Sequence, residues 1–404
     1  MNILIAPLHY VINADEGSEF TRAYETLLTI SKDGHIKGDA IVGYSNLKKV
    51  GNFDIHSIFK NRPEYISNIV RVKFILGVFL KSIILQIRNN YNVIWHYGPF
   101  AIFETFSLVS LFNFKGTPFV IGPIFSPHTV VSKSESKLLG RSLKGEKVET
   151  SIWQSLDAHL YKGFSKITKR LSLRTLESAS AVYVVEKYGY NILRENKIKR
   201  LVILPFSIIQ RAFEKTNRTF SKRINLLSVC YLLERKRTDV LIRAMNIIVN
   251  KKMIKNIHLT IVGAGPQKED LESQVVKLNL QKYVTFKGFI PRNKIGVEYK
   301  NSDIFLSGSV SDSMPGMYFE AMSASLPMVI AENNTSMELE DKKFGGVIIK
   351  NSSHTDFAKQ IIKLASNKKL MNKMGNLNHA LMKSSFNLER NIEIFKRELS
   401  EIIS

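Results

Sequence analysis

The chain has 404 residues, of which 44% are hydrophobic and 23% are charged; this composition is typical of soluble globular proteins, and the length favours two domains over one. Cys230 is the only cysteine, which excludes an internal disulfide and a zinc site built from several cysteines, and which is typical of a reducing compartment. The most hydrophobic stretch, residues 74–85, is too short to span a bilayer.

The formal net charge is +23, and it is unevenly distributed. Residues 133–223 contain 20 Lys and Arg against 8 Asp and Glu. Such a basic region favours an anionic partner, whether a membrane surface, a nucleic acid or a phosphate-bearing substrate. Nucleic acid is the least favoured of the three, because the region lacks the interleaved aromatic side chains that stack on bases.

The first half of the chain alternates short apolar strands with amphipathic helices. The N-terminus has no basic segment and is interrupted by Pro7 and His9, which favours a first strand over a signal peptide. The pattern predicts strands at residues 3–6, 40–42, 93–95, 119–121, 181–185 and 202–204, and helices at 64–88 and 100–111. This alternation predicts a parallel, doubly wound sheet.

The second half repeats the alternation more regularly. Strands are predicted at residues 225–229, 258–262, 284–286, 304–306, 328–331 and 347–349, with helices at 239–248 and 268–278. Residues 206–223 are polar and basic with little periodicity, which is typical of a linker between domains. The last segment, residues 388–403, is an amphipathic helix by its spacing.

Residues 303–331 hold the most informative pattern, which is a buried strand, a small polar loop, a short helix from about 317 to 324, and a second buried strand. A helix N-terminus after such a loop binds anions, because its first N–H groups have no partners within the helix. Asp312 precedes this helix and Glu320 lies within it. The backbone between them includes Ser313, Met314, Pro315 and Gly316. One carboxylate can thus face the front of a ligand while the other binds a hydroxylated part further back.

The segment SDSMPGMYFEAMSASLPMV resembles the signature of retaining GT-B glycosyltransferases of family 4 (glycosyltransferase group 1). Two residues depart from that signature: Asp312 stands where the family usually has Glu, and Ser325 stands where it usually has Gly. The resemblance implies an α/β protein of GT-B architecture, with two Rossmann-like, doubly wound parallel-sheet domains facing across a cleft. It further implies an acceptor-side domain at residues 1–206, a domain that binds the nucleotide sugar at 207–385, and a C-terminal helix at 386–404 that crosses back to the first domain.

The segment LSVCYLLERKRTDV resembles the family's strand and loop with an arginine, a lysine and a following helix. Lys236 falls on the lysine, whereas Tyr231 replaces the arginine. Cations suit this position because a departing nucleoside diphosphate gains negative charge, which preorganised positive groups stabilise. Arg235 and Arg237 flank the lysine and are placed to substitute for the missing arginine.

Two further turns resemble donor-binding segments of the family. Gly263 and Gly265 form a tight turn between a strand and a helix, where glycine permits close approach of a ligand. The segment VTFKGFIP resembles the one whose main chain contacts the base, and this resemblance places Gly288, Phe289 and Ile290 there.

The first domain offers two candidate site residues. Gly17 follows the first strand, where the family has a glycine-rich loop facing the diphosphate. His96 ends a strand at the position where the family often has a histidine near the donor sugar. His128 is better explained as a structural residue.

The sequence contains no Asp-x-Asp pair and no His or Cys cluster with metal-ligand spacing, so we expect no metal and no cofactor. GT-B enzymes likewise stabilise the leaving diphosphate with Lys, Arg and helix N-termini. We therefore assign catalytic roles to Lys236, Asp312, Glu320 and His96, with Arg235 among the donor-binding residues.

The predicted function is retaining transfer of a sugar from a nucleotide diphosphate donor to an acceptor hydroxyl, in polysaccharide or glycolipid (lipid-linked glycan) biosynthesis. The predicted partners are the donor, a glycan or lipid-linked acceptor and an anionic membrane surface, with no nucleic acid, on the cytoplasmic side of the cell membrane. Two alternatives remain open: a GT-B enzyme of another reaction type, such as a sugar-nucleotide epimerase, and a non-catalytic scaffold subunit that binds nucleotide. Asp312 and Tyr231 keep the second alternative open.

Overall fold

The structure is a computed structural model, and it describes residues 1–12, 18–62, 68–98, 107–111, 113, 115–125, 169–205 and 222–404. The described residues form two compact units. Unit 1 contains residues 1–125, 169–205 and 387–404, and unit 2 contains residues 222–386.

Unit 1 is built on an eight-stranded sheet. Its strands are, in chain order, β1 (Asn2–Val11), β2 (Lys37–Tyr44), β3 (Lys49–Val50), β4 (Phe53–Ser57), β5 (Val93–His96), β6 (Phe119–Ile124), β7 (Ala181–Val184) and β8 (Leu201–Ile203). The strand order is β3-β4-β2-β1-β5-β6-β7-β8, and every pair is parallel except β3 with β4. The central strands are fully buried, as parallel strands covered on both faces must be.

The described helices of unit 1 between these strands are α1 (Ser18–Ile30), α2 (Asn68–Arg88), α3 (Leu108–Leu111), α4 (residues 169–178) and α5 (Lys187–Leu193). Helix α2 packs on the sheet through Phe74, Val78 and Leu85, which belong to the same core cluster as Leu4 and Ile94. Apolar side chains from a helix face and a sheet face together form this core.

Unit 2 is built on a six-stranded sheet that is parallel throughout. Its strands are β9 (Ile224–Val229), β10 (Ile257–Val262), β11 (Val284–Phe286), β12 (Ile304–Ser307), β13 (Met328–Ala331) and β14 (Gly346–Ile349), in the spatial order β11-β10-β9-β12-β13-β14. Its helices are α6 (Thr238–Asn246), α7 (Lys268–Lys277), α8 (Arg292–Lys300), α9 (Gly316–Ser323), α10 (Asn334–Asp341), α11 (His354–Ala365) and α12 (Lys368–Ser385).

The last helix of the chain, α13 (Leu388–Ile403), packs within unit 1. Asn387 caps its N-terminus, because the side-chain oxygen accepts a hydrogen bond from the backbone N–H of Arg390 (2.9 Å). The Phe395 ring lies 4.4 Å from the Trp95 ring and 5.0 Å from the Tyr183 ring, between centroids. The aromatic contacts therefore join the C-terminus to β5 and β7.

The predicted parallel, doubly wound sheets are confirmed in both halves. Strands β3 and β4 were not predicted, and the helix predicted at residues 64–88 is described from Asn68 onward. Gly17, His128 and nearly all of the predicted linker lie outside the described residues.

Candidate functional site

The strand order of unit 2 fixes where a ligand can bind. The chain moves from β9 outward to β10 and β11, and then crosses to β12 on the other side of β9. The order thus reverses between β9 and β12, which leaves a crevice beyond the carboxyl ends of these two strands. Ligands of open parallel sheets bind in the crevice at such a reversal. The loops that follow β9 and β12 carry Lys236 and Asp312, respectively.

Asp312 is the centre of a buried charge cluster in this crevice. The Lys236 ammonium group pairs with Oδ1 of Asp312, and Nη1 of Arg235 lies 3.4 Å from the same oxygen. Arg235 also donates to the backbone carbonyl of Ser311 (2.7 Å). Lys236 and Asp312 are each 8% exposed. The structure therefore brings together three residues that the sequence analysis assigned to the site.

The charges of the cluster decide the protonation state of the carboxylate. Burial by itself would raise the pKa of the Asp312 carboxyl, but the charges of Lys236 and Arg235 and the hydrogen bond from Lys236 outweigh burial and hold the pKa below its usual value. Asp312 is therefore ionised at neutral pH. Its second oxygen, Oδ2, is buried and has no protein partner with good hydrogen-bond geometry in the described residues, and the same holds for the Ser311 hydroxyl. Asp312 Oδ2 and Ser311 Oγ are therefore the candidate hydrogen-bonding atoms for a hydroxylated ligand.

The loop between Asp312 and α9 is held in an unusual conformation. Met314 has a φ of 47°, in the left-handed region that non-glycine residues rarely adopt. Its N–H donates to Oγ1 of Thr335 (2.7 Å), and that hydroxyl donates to the carbonyl of Asp312 (3.0 Å). Thr335 thus fixes the backbone on both sides of Ser313. Helix α9 begins directly afterwards at Gly316, with Pro315 as its N-cap.

Glu320 lies in α9 and is bound by two residues that the sequence analysis missed. Nη1 of Arg292 lies 3.2 Å from Oε1 of Glu320, and the Tyr299 hydroxyl donates to Oε2 (2.6 Å). Burial and the Glu320 charge raise the pKa of Tyr299 well above its usual value, so its hydroxyl keeps the proton that it donates. Arg292 and Tyr299 are seven residues apart, which puts them on one face of α8 at two helical turns. That spacing is the sequence signal that could have found them.

Gly263 and Gly265 are required by close backbone packing. A side chain on Gly263 would lie 1.8 Å from the carbonyl oxygen of Cys230, and one on Gly265 would lie 2.6 Å from that of Leu232. Both have φ angles beyond +140°, which glycine adopts readily. These glycines therefore bring the turn after β10 against the loop after β9, beside the charge cluster.

The turn after β11 differs from the turn after β10 because it exposes a large side chain, that of Phe289. The Gly288 carbonyl accepts a hydrogen bond from the N–H of Gly263 (2.8 Å). Phe289 is 61% exposed, Ile290 is half-buried, and Tyr231, after β9, is 59% exposed. The carboxyl edge of this sheet thus carries two exposed aromatic side chains.

Unit 1 has its own strand-order reversal, between β1 and β5. His96 ends β5 there and is 1% exposed; burial lowers its pKa to about 3, so its imidazole is neutral at physiological pH. The next residue, Tyr97, lies with its hydroxyl 3.2 Å from Oγ1 of Thr26 on α1. Arg22, one turn earlier on α1, is also buried and lies over the Phe125 ring. Neither Tyr97 nor Arg22 was predicted from the sequence.

Two kinds of feature are absent from the described residues. No group of three or more His, Cys, Asp or Glu side chains in this part of the chain has the arrangement of a metal site. None of the described helices combines the length and the hydropathy that a membrane span requires.

Comparison with known proteins connects this site to a family. Residues 210–379, which include the charge cluster, match the family model of glycosyl transferases group 1. The alpha-monoglucosyldiacylglycerol synthase of Acholeplasma laidlawii is 28% identical over 121 residues. That alignment covers 30% of this chain and 30% of the relative, so the chain spans less than a third of the length of this curated relative.

Solved structures resemble the chain over nearly its whole length. The sucrose-phosphate synthase of Thermosynechococcus elongatus has a TM-score of 0.71 at 14% identity, covering 99% of this chain and 98% of that one. The Anabaena protein HepE, solved in complex with UDP-glucose, has a TM-score of 0.65 at 14% identity, covering 99% of this chain and 100% of that one. These matches confirm the predicted fold, GT-B architecture with two Rossmann-like parallel-sheet domains.

Proposed function

We propose that the chain is a retaining glycosyltransferase that moves a sugar from a nucleoside diphosphate donor to an acceptor hydroxyl. The observation that carries this proposal is the buried cluster of Lys236, Arg235 and Asp312 at the strand-order reversal of unit 2. The match of residues 210–379 to group 1 glycosyl transferases supports the reaction class.

Lys236 and Arg235 stabilise the departing diphosphate in this proposal. Together they carry two positive charges against the single charge of Asp312. The surplus positive charge is preorganised, because Asp312 and the Ser311 carbonyl hold both cations in place before a donor arrives. Groups fixed in this way stabilise developing negative charge without reorganising during the reaction. The proposal uses no metal ion.

The neighbouring groups bind the rest of the donor. Asp312 Oδ2 and the backbone N–H groups near Gly316 bind hydroxyls of the transferred sugar, while Glu320 binds the ribose hydroxyls. Arg292 and Tyr299 each use one lone pair of Glu320, and a carboxylate offers about four, so acceptor capacity remains for a ribose. The turns at Gly263 and Gly288 line the base.

The acceptor is a glycan or a lipid-linked molecule at the cytoplasmic face of the cell membrane. The relative from Acholeplasma laidlawii is named for a glucosylated diacylglycerol, which supports a lipid acceptor class. The net charge of +23 supports work at an anionic surface.

A thermal-shift screen against UDP, GDP and ADP and their sugars tests the donor site. A ligand at about 100 times its Kd stabilises the folded state by roughly 2.7 kcal/mol, which gives a clear rise in Tm. We expect one nucleoside diphosphate to raise the Tm of the wild type and to do so far less for Lys236→Gln. Arg243→Gln, on an exposed arginine of the same unit, is the matched control. No response to any nucleotide would contradict the proposal.

A non-catalytic scaffold is the second candidate, and Tyr231 in place of the family's arginine is the observation that favours it. Arg235 reaches the carboxylate of the cluster, which supports an active site despite Tyr231. The donor identified by the screen is incubated with membrane lipid extract, and the anomeric proton of the product is examined by NMR. A product with the donor's anomeric configuration supports retaining transfer. Release of a changed nucleotide sugar without acceptor indicates an epimerase, and binding without turnover indicates a scaffold.

A further inference from the structure

Helix α2 carries an exposed apolar stripe that the described residues of unit 1 leave uncovered. Of the 15 strongly exposed large hydrophobic residues in the described part of the chain, six lie on this one helix, with exposures between 43% and 68%. They are Ile69, Val72, Leu76, Leu80, Ile84 and Ile87. Their steps of three or four residues keep them on one face over about five turns.

The opposite face of α2 fixes the orientation of this stripe. Phe74, Val78 and Leu85 are buried in the core of unit 1. The Phe74 ring stacks on Phe59 with centroids 6.5 Å apart, and the backbone at Gly77 packs so closely that a side chain there would meet Ile58 at 2.5 Å. The helix is thus apolar on two sides, of which one is packed and one faces solvent. An amphipathic surface helix normally has one apolar face, so the second face points to a partner.

The charges on α2 identify the chemistry of that partner. The helix contains four basic residues, Arg71, Lys73, Lys81 and Arg88, and no Asp or Glu. Lys73 and Arg88 are exposed on or next to the stripe, because Lys73 lies four residues after Ile69 and Arg88 lies four residues after Ile84. An apolar face flanked only by positive charge is the signature of a helix that lies in the interface of an anionic lipid bilayer.

We propose that the α2 stripe is a membrane-docking surface that inserts into an anionic lipid monolayer parallel to the membrane plane. The proposal takes one element from the proposed function, namely that the acceptor is membrane-borne. It also differs from the expectation that the basic region at residues 133–223 makes the contact, since α2 lies outside that region.

Sedimentation with phospholipid vesicles tests the proposal without donor or acceptor. We expect the full chain to bind vesicles containing phosphatidylglycerol at about 0.1 M salt and to bind pure phosphatidylcholine far less. Leu76→Ser with Leu80→Ser should weaken binding at least about tenfold, because two apolar side chains are lost from the face that the lipid buries. Lys73→Gln with Arg88→Gln should weaken it roughly 25-fold at low salt, about fivefold per charge.

Matched controls on unit 2 test whether vesicle binding depends on the α2 stripe or on exposed apolar and basic side chains anywhere on the chain. Val276→Ser with Val297→Ser removes two valines of similar exposure, and Lys277→Gln with Lys282→Gln removes two exposed lysines. Both controls should bind vesicles like the wild type. Trp95 emission in a Trp153→Phe background confirms that unit 1 is folded in every α2 variant, and a failed donor site alone would leave vesicle binding intact.

Insertion depth provides a second readout. A tryptophan introduced by Leu80→Trp should be quenched by lipids brominated in the upper acyl chain, since such helices sit about 5–10 Å deep, whereas one introduced by Val297→Trp should not. Three results would each overturn the proposal. They are equal binding of the Leu76/Leu80 variant and the wild type, equal binding to neutral and anionic vesicles, and a wild-type dimer that the Leu76/Leu80 variant dissociates, which would make a second copy the occupant.

Discussion

The two carboxylates of the candidate site have different kinds of partner. Asp312 is held by two cations on one oxygen, whereas Glu320 is held by a cation on one oxygen and a neutral phenol on the other. The first arrangement keeps a positive surplus for an anion. In the second arrangement, the charge of Arg292 balances the charge of Glu320, and Glu320 remains a hydrogen-bond acceptor. This difference in local charge supports different roles for the two residues.

The variants Tyr299→Phe and Glu320→Gln separate the positioning of the Glu320 side chain from the binding of the ribose by Glu320. Tyr299→Phe keeps the ring but removes a buried donor, so we expect the unfolding free energy of unit 2 to fall by about 1–2 kcal/mol. Glu320→Gln leaves one acceptor oxygen and should weaken nucleoside diphosphate affinity directly. Amide hydrogen exchange of α9 and calorimetry measure the two effects. Tyr283→Phe, in the same unit, is the control. Unchanged affinity in Glu320→Gln would refute the ribose assignment.

His96 should make unit 1 sensitive to acid. Its pKa is about 3 in the folded chain, because of burial, and about 6.5 when unfolded, so the unfolded state binds the proton more tightly. The stabilising contribution of the neutral imidazole is therefore complete above about pH 6.5 and is lost as the pH falls towards 3.

Urea denaturation of unit 1 at pH 7, 6 and 5, followed by Trp95 emission in a Trp153→Phe background, checks this pH dependence. We expect the wild type to lose up to about 1.4 kcal/mol per pH unit below pH 6.5, and His96→Gln to lose much less. Parallel slopes for the two proteins would show that His96 does not control the acid response.

At the scale of elements, the end of α9 explains one departure from the family pattern. Ser325, where the family usually has glycine, has a φ of 54°. The N–H of Ser325 donates to the carbonyl of Met322 (3.0 Å), and the N–H of Leu326 donates to that of Ala321 (3.0 Å), which ends the helix with a left-handed residue. Glycine is favoured at such an end because it has no Cβ to strain.

Ser325→Gly should therefore stabilise unit 2. The left-handed conformation costs a non-glycine residue roughly 1–2 kcal/mol, and the greater freedom of glycine in the unfolded chain offsets part of this gain, so the net gain should be about 0.5–1 kcal/mol. Thermal unfolding of the variant measures it. Ser313→Gly, in the preceding loop and not among the residues with positive φ, should give no such gain. A loss of stability in Ser325→Gly would contradict this explanation.

Local sequence patterns predicted the elements whose own residues are clearly apolar or clearly polar. Continuous apolar runs such as residues 304–306 predicted buried parallel strands, and the spacing of Asp312 and Glu320 predicted a loop and helix with two carboxylates. Strand β4, FDIHS, was missed because it lies near the sheet edge and carries few apolar residues. Arg292 and the hydroxyl of Thr335 were missed because their roles depend on contacts made across distant elements. Sequence thus predicted Lys236, Asp312 and Glu320 but not the residues that orient them.

At the scale of the whole molecule, the chain completes unit 1 with its own C-terminus. Phe395 on α13 packs on Trp95 and Tyr183, so unit 1 depends on a segment that follows all of unit 2 in sequence. Removing this ring leaves a cavity beside two large aromatic side chains. The cost of such a cavity falls on unit 1.

Phe395→Ala should lower the stability of unit 1 by about 3–5 kcal/mol. Nucleotide binding by unit 2 should remain, because the charge cluster lies wholly within residues 222–386. Phe357→Ala, which removes a ring from the core of unit 2, should instead weaken nucleotide binding and leave the stability of unit 1 unchanged. Trp95 emission and nucleotide calorimetry report on the two units separately. Loss of nucleotide binding in Phe395→Ala with unit 2 still folded would contradict this division.

Calorimetric titration with the preferred nucleoside diphosphate tests the central claim, that the cluster at the strand-order reversal of unit 2 binds the donor diphosphate. The titration compares the wild type, Arg235→Gln with Lys236→Gln, and the exposed control Arg243→Gln. We predict that the double variant binds at least about tenfold more weakly, since at least one charge-assisted contact of about 1.5–3 kcal/mol is lost, and that the control binds like the wild type. Equal affinity in all three proteins, with the double variant folded, would contradict the account and move the diphosphate elsewhere.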